Sequence, residues 1–291
     1  MKKKVLVLGG SGFLGSHVAE ELSYTNYDVT ILDKKRAKFT NKKIKFLIAD
    51  INNKKILTKA VKNCDVIFYF VDIADISESK LDYMKTINQN IIGLVDILEM
   101  CKNYKVKDFI YASSLYVYSD AGSFYRASKQ CAEILIKEFS KVSKLNYKLL
   151  RYGSLYGKRA QEWNGIQKFI NQIIYKGEIV YKGNGKEIRD YINVRDAARL
   201  TASILTKKIK NNAISIFGQK SITVDQLLDL MFEIYGKKKK VKYLNKIDAD
   251  DHYGFSPYRF IPEEGIKLTS NTNIDLGEGI LRLFNNNGKK Y

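Results

Sequence analysis

Short apolar segments alternate with helix-like segments through the first half of this 291-residue chain. The apolar segments are rich in β-branched and aromatic residues, as strands are, and the segments between them carry apolar residues at helical spacing. Strands that alternate with helices in this way form a parallel sheet that is covered on both faces. The pattern predicts strands over residues 5–8, 28–32, 44–48, 65–71, 108–112 and 147–150, with helices that include residues 12–22, 87–101 and 125–141.

A glycine-rich turn directly follows the first predicted strand, with Gly9, Gly12 and Gly15 in the spacing G-x-x-G-x-x-G. Glycines there allow the backbone to approach a diphosphate closely, and the helix that begins in the turn directs its partial positive charge at the anion. Asp33 ends the second strand, where a carboxylate accepts hydrogen bonds from a ribose 2′-hydroxyl and repels a 2′-phosphate. This arrangement predicts NAD in preference to NADP, although the basic residues 34–36 blur the preference.

The regular alternation ends near residue 153. Beyond it the pattern predicts three further helices and one strand, over residues 166–176, 196–206, 224–235 and 213–217. We therefore expect an α/β fold in two parts. A Rossmann-type doubly wound parallel sheet over residues 1–153 would bind NAD, and a smaller C-terminal α/β lobe over residues 154–291 would bind the substrate. Strand 213–217 is a candidate to return to the edge of the sheet.

The chain is strongly basic, since 50 Lys and Arg against 31 Asp and Glu give a net charge of +19. Such a charge is compatible with a nucleic-acid partner, with an anionic small-molecule ligand or with a generally lysine-rich composition. The basic residues are mostly lysines spread along the chain, and they do not gather with aromatic residues into one stripe. We therefore predict an anionic small-molecule ligand and no nucleic-acid partner.

The sequence lacks signals for a membrane span, for secretion and for a metal site. The longest uninterrupted apolar run covers residues 66–71, and the basic N-terminus is followed by too few apolar residues for a signal peptide. Three cysteines without a C-x-x-C motif and only two histidines indicate neither a disulfide framework nor a metal site. We expect a cytoplasmic protein with no membrane partner and no bound metal.

The motif Y-x-x-x-K occurs twice, as Tyr125/Lys129 and as Tyr235/Lys239, and it is weak alone because both residue types are frequent in this chain. Position favours the first pair, which lies in a predicted helix shortly after the strand that leads into Ser114. Residues at i and i+4 share one helix face, so the Lys129 ammonium can stabilise the Tyr125 phenolate. The second pair leads into a lysine run, and we interpret its tyrosine as a solvated helix end.

Several ordered motifs together resemble the extended short-chain dehydrogenase/reductases, in particular their nucleotide-sugar epimerase/dehydratase group. The resemblance runs almost the length of the chain, and the combination is far more specific than any single motif. The motifs are the glycine turn 9–15, Asp33, Asp50-Ile51, Asn90 in N-I-I-G, residues 111–118, Tyr125 with Lys129, residues 150–157, residues 189–196 and residues 275–280.

The resemblance implies roles for individual residues. Tyr125 would act as the general base or acid at a sugar hydroxyl, Ser114 would hydrogen-bond that hydroxyl, and Lys129 would bind the nicotinamide ribose and favour the ionised tyrosine. Arg189 would pair with the diphosphate of a nucleotide-sugar, which its planar guanidinium suits. The implied cofactor-binding residues are Gly9, Gly12, Phe13, Leu14, Gly15, Asp33, Asp50, Ile51, Val71, Tyr125 and Lys129, and the substrate-binding residues are Asp72, Ser114, Ser154 and Arg189.

Other positions depart from the family pattern. The family's dehydratases usually carry an Asp-Glu pair after the catalytic hydroxyl residue, and Leu115-Tyr116 stand there instead, which argues against dehydration. The sugar-acid decarboxylases tend to have Glu at the position of Tyr116, so decarboxylation also loses support. Three further departures are Asp72 where a small residue is usual beside the nicotinamide, Ser154 where Asn is frequent, and the short loop between Ser114 and Tyr125.

From the resemblance we expect an NAD-dependent enzyme that oxidises a ring hydroxyl of a nucleotide-diphosphate sugar at C4. Return of the hydride to the other face would make the reaction a 4-epimerisation. A 4-dehydrogenase or 4-ketosugar reductase would use the same residues, and a non-catalytic NAD-binding regulator is disfavoured by the intact Tyr/Lys pair. Extra apolar positions in helices 87–101 and 125–141, together with the resemblance, predict a homodimer through these helices.

Overall fold

The computed structural model of the chain describes residues 2–37, 41–246, 266–269 and 272–287. Its strands are β1 (Lys3–Leu8), β2 (Tyr27–Asp33), β3 (Ile44–Ile48), β4 (Val66–Tyr69), β5 (Asp108–Ser114), β6 (Asn146–Tyr152), β7 (Ser154–Tyr156), β8 (Ile179–Tyr181), β9 (Ile188–Asn193), β10 (Asn212–Ile216), β11 (Ser221–Thr223), β12 (Val241–Tyr243) and β13 (Ile266–Leu268). Eight of them form one parallel sheet in the order β13-β10-β6-β5-β4-β1-β2-β3. All six strands predicted for the first half of the chain are present.

Helices in the described ranges connect and cover these strands. They are α1 (Phe13–Ser23), α2 (Lys54–Val61), α3 (Ile76–Leu81), α4 (Tyr83–Ile87), α5 (Gly93–Asn103), α6 (Ser123–Ser143), α7 (Gly165–Lys176), α8 (Val194–Ser203), α9 (Val224–Tyr235) and α10 (Leu276–Asn286). A π-helical turn, Asn88–Ile92, joins α4 to α5, and 3-10 turns follow β5 and α8. The segment predicted as a helix over residues 87–101 is therefore helical throughout, with a π-helical turn near its start.

Side chains of the large sheet alternate between two apolar cores, one on each face. In β1, Val5 and Val7 pack in the core that α1 and α8 cover, whereas Leu6 and Leu8 pack in the core that α2, α5 and α6 cover. All four side chains are at most 2% exposed. Burial on both faces explains why these strands are almost continuously apolar, and it confirms the predicted doubly wound α/β fold.

A third core lies in the second half of the chain. Helices α7, α9 and α10 pack around it, next to a three-stranded sheet of β11, β9 and β7 and a two-stranded sheet of β12 and β8. Tyr235 is buried in this core with its ring centroid 5.2 Å from that of Phe284, so its interpretation as a solvated helix end is wrong. The apolar stripe of α9 continues to its last residue, and the chain turns away only at Gly236.

The chain crosses between these parts more than once. Gly153 alone separates β6 of the large sheet from β7 of the small one. Strand β10 then returns to the large sheet between β6 and β13, and α8 packs against α1. Residues beyond 153 therefore contribute to both parts, and the division into domains at residue 153 stays a prediction.

Candidate active site

A cavity of about 810 Å³ lies where the carboxyl ends of the parallel strands face the third core. A crevice at this edge is the usual ligand site of open α/β sheets. Among the predicted site residues, Asp50 alone does not line the cavity. The residues that do are Gly9, Gly12, Phe13, Leu14, Gly15, Asp33, Ile51, Val71, Asp72, Ser114, Tyr125, Lys129, Ser154 and Arg189.

The glycine turn packs too tightly for side chains. Gly9 has φ +74°, and a Cβ there would lie 2.8 Å from the carbonyl of Phe70. A Cβ at Gly15 would lie 2.5 Å from the Gly9 carbonyl oxygen, so only glycine lets α1 begin this close to the turn.

The same turn offers donors to an anion. No side chain caps the N-terminus of α1 at Gly12, and the buried Oγ of Ser11 has no hydrogen-bond partner among the described residues. Free backbone N–H groups and an unpaired buried hydroxyl fit a diphosphate, so the turn meets the structural requirement for NAD.

Two carboxylates lie at the carboxyl ends of β2 and β3, near the glycine turn. Asp33 Oδ2 accepts a hydrogen bond from the Ser11 N–H at 2.9 Å, which fixes its side chain beside the turn. Asp50 instead accepts from the Asn52 N–H at 2.8 Å and pairs with Lys34 at 3.0 Å. The Asn52 hydrogen bond and the Lys34 ammonium hold the pKa of Asp50 below its ordinary value. The Asp50 side chain thus serves the local turn and a surface ion pair.

Ser114, Tyr125 and Lys129 meet at the other end of the cavity. Ser114 ends β5, and α6 begins nine residues later, so the strand end and the first two helical turns face one another. Lys129 Nζ donates to the Ala112 carbonyl oxygen at 2.6 Å and lies 5.7 Å from the centroid of the Tyr125 ring. The structure therefore brings together the three residues of the predicted catalytic group.

The Lys129 ammonium has a second partner that the sequence did not predict. Asp72 Oδ2 lies 2.7 Å from Nζ, and both side chains are largely buried. Burial raises the pKa of Asp72, while the positive charge of Lys129 opposes that rise. The neighbouring Ile73 backbone is fixed by Asn90, whose side chain accepts from its N–H at 2.9 Å and donates to its carbonyl at 3.2 Å. Asn90 belongs to the π-helical turn, so that turn locates the segment carrying Asp72.

A buried ion pair fixes α6 one turn beyond Lys129. Glu133 lies on the same helix face, two turns beyond Tyr125 and one turn beyond Lys129. Its carboxylate accepts from Arg151 Nη2 at 2.6 Å, from Arg151 Nε at 3.0 Å and from Ser113 Oγ at 2.6 Å. These bonds tie α6 to β5 and β6. Spacing along the helix could have identified Glu133, but a charged helical residue is more often solvated.

The side of the cavity opposite the large sheet comes from the elements around the third core. Arg189 on β9 is 8% exposed, and its Nη1 donates to the Ile188 carbonyl oxygen at 3.0 Å. Ser154, the first residue of β7, lines the same space. Sequence reasoning missed several other lining residues on this side, among them Trp163, Lys168, Tyr181, Lys182, Glu187 and Lys246.

The described residues contain neither a metal-binding cluster nor a membrane-spanning helix. No group of three or more His, Cys, Asp or Glu side chains there could hold a metal ion. Within the same ranges, no helix is both long and apolar enough to span a bilayer.

Known proteins resemble this chain over most of its length. A putative UDP-glucose 4-epimerase of Methanocaldococcus jannaschii is 28% identical, and the match covers 97% of each chain. The crystal structure of a Thermotoga maritima UDP-glucose 4-epimerase with UDP-glucose has a TM-score of 0.80 at 25% identity and covers 96% of both chains.

A third comparison concerns the fold alone. A variant of the Bacillus cereus UDP-glucuronic acid 4-epimerase, in complex with a UDP-4-deoxy-4-fluoro-glucuronic acid and NAD, has a TM-score of 0.84 at 22% identity. The match covers 97% of this chain and 98% of that one.

Residues 5–216 match the NAD dependent epimerase/dehydratase family. That range contains the glycine turn, the Ser114/Tyr125/Lys129 group and Arg189, and the chain belongs to this family.

Proposed function

We propose that the protein is an NAD-dependent 4-epimerase of a nucleotide-diphosphate sugar. The observation that carries the proposal is the meeting of three features in one cavity: the glycine turn, the Ser114/Tyr125/Lys129 group and the buried Arg189. The similar M. jannaschii protein is described as a putative UDP-glucose 4-epimerase, and the T. maritima structure holds UDP-glucose. A UDP-sugar is therefore the first substrate class to test.

NAD would bind with its diphosphate at the glycine turn and its adenosine ribose at Asp33. Two of the basic residues behind Asp33 already have partners, which supports NAD over NADP. Lys34 pairs with Asp50, and the guanidinium of Arg36 lies 5.4 Å from the centroid of the Phe46 ring. A 2′-phosphate would therefore meet the Asp33 carboxylate with little compensation.

When bound, NAD supplies the group that accepts a hydride from the sugar carbon and returns it. The chain's own residues handle the proton. Tyr125 takes the proton of the C4 hydroxyl while the C–H bond breaks, and it gives the proton back when the alcohol forms again. Ser114 holds the same oxygen by a hydrogen bond. Lys129 places a positive charge beside the Tyr125 ring and so stabilises the phenolate.

Epimerisation also requires that the ketone turn over while the rest of the substrate stays bound. Arg189 would provide this anchor by pairing with the diphosphate, since a guanidinium offers a planar fork of donors. Its position on β9, outside the large sheet whose strand β5 ends in Ser114, separates the anchor from the reacting carbon. Ser154 would contact the sugar between the two.

We further propose a cytoplasmic homodimer. In the helices predicted to pair, Leu94 and Leu98 are buried against the sheet, whereas Ile92 and Ile134 are 53% and 62% exposed. Two exposed isoleucines on neighbouring elements favour an apolar contact with a second copy. Light scattering at micromolar concentration tests this: twice the mass of the chain is expected, and a monomer would refute it.

The experiment for the activity is incubation with UDP-glucose, UDP-N-acetylglucosamine and UDP-glucuronic acid, followed by proton NMR at C4 and by NADH absorbance. We expect conversion to the C4 epimer without net NADH. Tyr125→Phe should lower turnover by about a hundredfold to ten-thousandfold and keep NAD binding. Tyr235→Phe, which changes the tyrosine of the other Y-x-x-x-K motif, is the matched control. NADH formation without epimer would instead identify a dehydrogenase, and NAD binding without any turnover would refute the proposal.

A further inference from the structure

The Asp72 carboxylate is placed unusually, buried beside the Tyr125/Lys129 group. Its side chain is 12% exposed, and Oδ2 forms the 2.7 Å ion pair with Lys129. Oδ1 is buried and has no hydrogen bond of good geometry within the described part of the chain, although the Asn90 side chain and the Ile73 N–H are close enough to the carboxylate to favour its ionised form. An unpaired carboxylate is costly to bury, and the ion pair with Lys129 favours the ionised form of Asp72.

The other side of the ion pair faces Tyr125. An ammonium has three donors, and Lys129 uses one on Ala112 and one on Asp72. Its Nζ also lies 4.7 Å from the centroid of the Tyr111 ring and 5.7 Å from that of Tyr125. The net charge that Tyr125 experiences is therefore that of an ion pair, which is far weaker than that of a lone ammonium.

We propose that Asp72 is a positioning residue that holds the Lys129 ammonium against β5 and, by offsetting its charge, raises the pH at which the Tyr125 hydroxyl ionises. The inference rests on the proposed function in that Tyr125 is the group that moves the proton. An epimerase needs that group both to accept and to return a proton. A tyrosine that is not held permanently as phenolate is suited to both steps.

Several titratable groups face Asp72 from the surrounding elements. Lys129 and Tyr125 approach from α6, Tyr69 from β4 and Tyr111 from β5. Burial, and secondly the charge of Asp72, raises the pKa values of Tyr69 and Tyr111 far above the ordinary value. These two tyrosines stay neutral across the working range, which leaves Lys129 and Tyr125 as the groups whose charge Asp72 can influence.

The size of the effect follows from distance. Lys129 Nζ lies 2.7 Å from Asp72 Oδ2 and 5.7 Å from the centroid of the Tyr125 ring. The Asp72 carboxylate is therefore within about 8 Å of that centroid. At the effective dielectric constant of a partly buried site, removing the Asp72 charge at that distance should shift the pH at which the Tyr125 hydroxyl ionises by about one unit or somewhat more.

The test is a pH titration of the protein without substrate or cofactor, with phenolate absorbance as the readout. Because the chain has 20 tyrosines, the Tyr125 signal is taken as the difference between each protein and its Tyr125→Phe counterpart. Asp72→Asn should lower the Tyr125 midpoint by about one pH unit. Asp75→Asn is the matched control, since it removes a charge from the same segment and Asn caps α3 as well as Asp does. Its midpoint should equal that of the unaltered protein.

Asp72→Ala is a second variant that also removes the carboxylate. If Asp72→Asn does not fold, the Tyr125 midpoint is measured in Asp72→Ala instead. A Tyr125 midpoint that is unchanged or higher without the carboxylate would overturn the inference. So would a raised KM with no shift in the midpoint, which would mean that Asp72 contacts the sugar. The titration needs no turnover, so absence of epimerase activity would count against the proposed function and leave this result standing.

Discussion

Removing one partner of the Glu133–Arg151 ion pair should strongly destabilise the fold. The two side chains are each 7% exposed and share two hydrogen bonds, and the Arg151 guanidinium also lies 4.5 Å from the centroid of the Tyr118 ring. Arg151→Met would leave the Glu133 carboxylate buried with only the Ser113 hydroxyl as donor. Breaking such a pair costs about 3–5 kcal/mol in the free energy of unfolding, because one charge stays uncompensated.

Changing both partners separates the free-energy cost of an uncompensated charge from the cost of lost side-chain packing. In Glu133→Leu/Arg151→Met neither charge remains, so most of the loss should be recovered, apart from about 1–3 kcal/mol for an unpaired Ser113 hydroxyl. The two residues therefore have to be strongly coupled in a double-mutant cycle. Glu138→Gln/Lys141→Met, which removes an exposed ion pair from the same helix, is the control, and it should change stability by less than about 1 kcal/mol.

Urea unfolding measures these differences. Circular dichroism reports on the whole chain, and fluorescence of Trp163, the single tryptophan, reports on the cavity, so coincident curves would establish one transition. A loss below about 1 kcal/mol for Arg151→Met would refute the reasoning. So would a double variant whose loss equals the sum of the two single losses.

Three further predictions concern the anchor, the cofactor turn and acid stability. Arg189→Ala should raise the KM for a UDP-sugar by about tenfold to a hundredfold and affect kcat less, and an unchanged KM in steady-state kinetics would remove the anchor. Gly15→Ala should weaken NAD binding in calorimetry by about tenfold or more, because its Cβ would lie 2.5 Å from the Gly9 carbonyl oxygen, whereas Gly165→Ala, with nothing within 4 Å, should not. Burial lowers the pKa of His17 to about 4, so the unfolded chain takes up this proton first and stability should fall by roughly 3 kcal/mol from above pH 6.5 to about pH 4. If unfolding midpoints show the same loss in His17→Gln, another group is responsible.

The large sheet and the glycine turn could be predicted because their signals are local. Strands buried on both faces are continuously apolar, and a glycine turn between strand and helix has a fixed spacing. The carboxyl ends of parallel strands meet at one edge, so residues far apart in sequence could be placed in one site. The three-residue strands β7, β8, β11, β12 and β13 were not predicted, since three residues cannot display a period.

The partners of charged residues could not be predicted in the same way. Glu133 and Arg151 are separated by 18 positions, and Lys129 and Asp72 belong to different elements whose meeting depends on the packing of α6. A carboxylate in a helix or after a strand gives no sign in the sequence that it will be buried. Asp50 is a further case: the resemblance implies that it binds the cofactor, but nothing in the sequence shows that Lys34 and the Asn52 N–H hold its side chain outside the cavity.

The short segment between Ser114 and Tyr125 bears on the choice among the reactions of the family. Tyr116 packs edge-on against Tyr125, with ring centroids 5.9 Å apart, and its Cδ1 lies 2.5 Å from where a Gly122 Cβ would be. Gly122 has φ +106°, so the segment can close this tightly only with glycine there. By the resemblance, Tyr116 stands where dehydratases carry an acid that expels water. A phenol fixed against Tyr125 supplies no carboxylic acid for that step, whereas the proposed 4-epimerisation expels no water and requires no such acid.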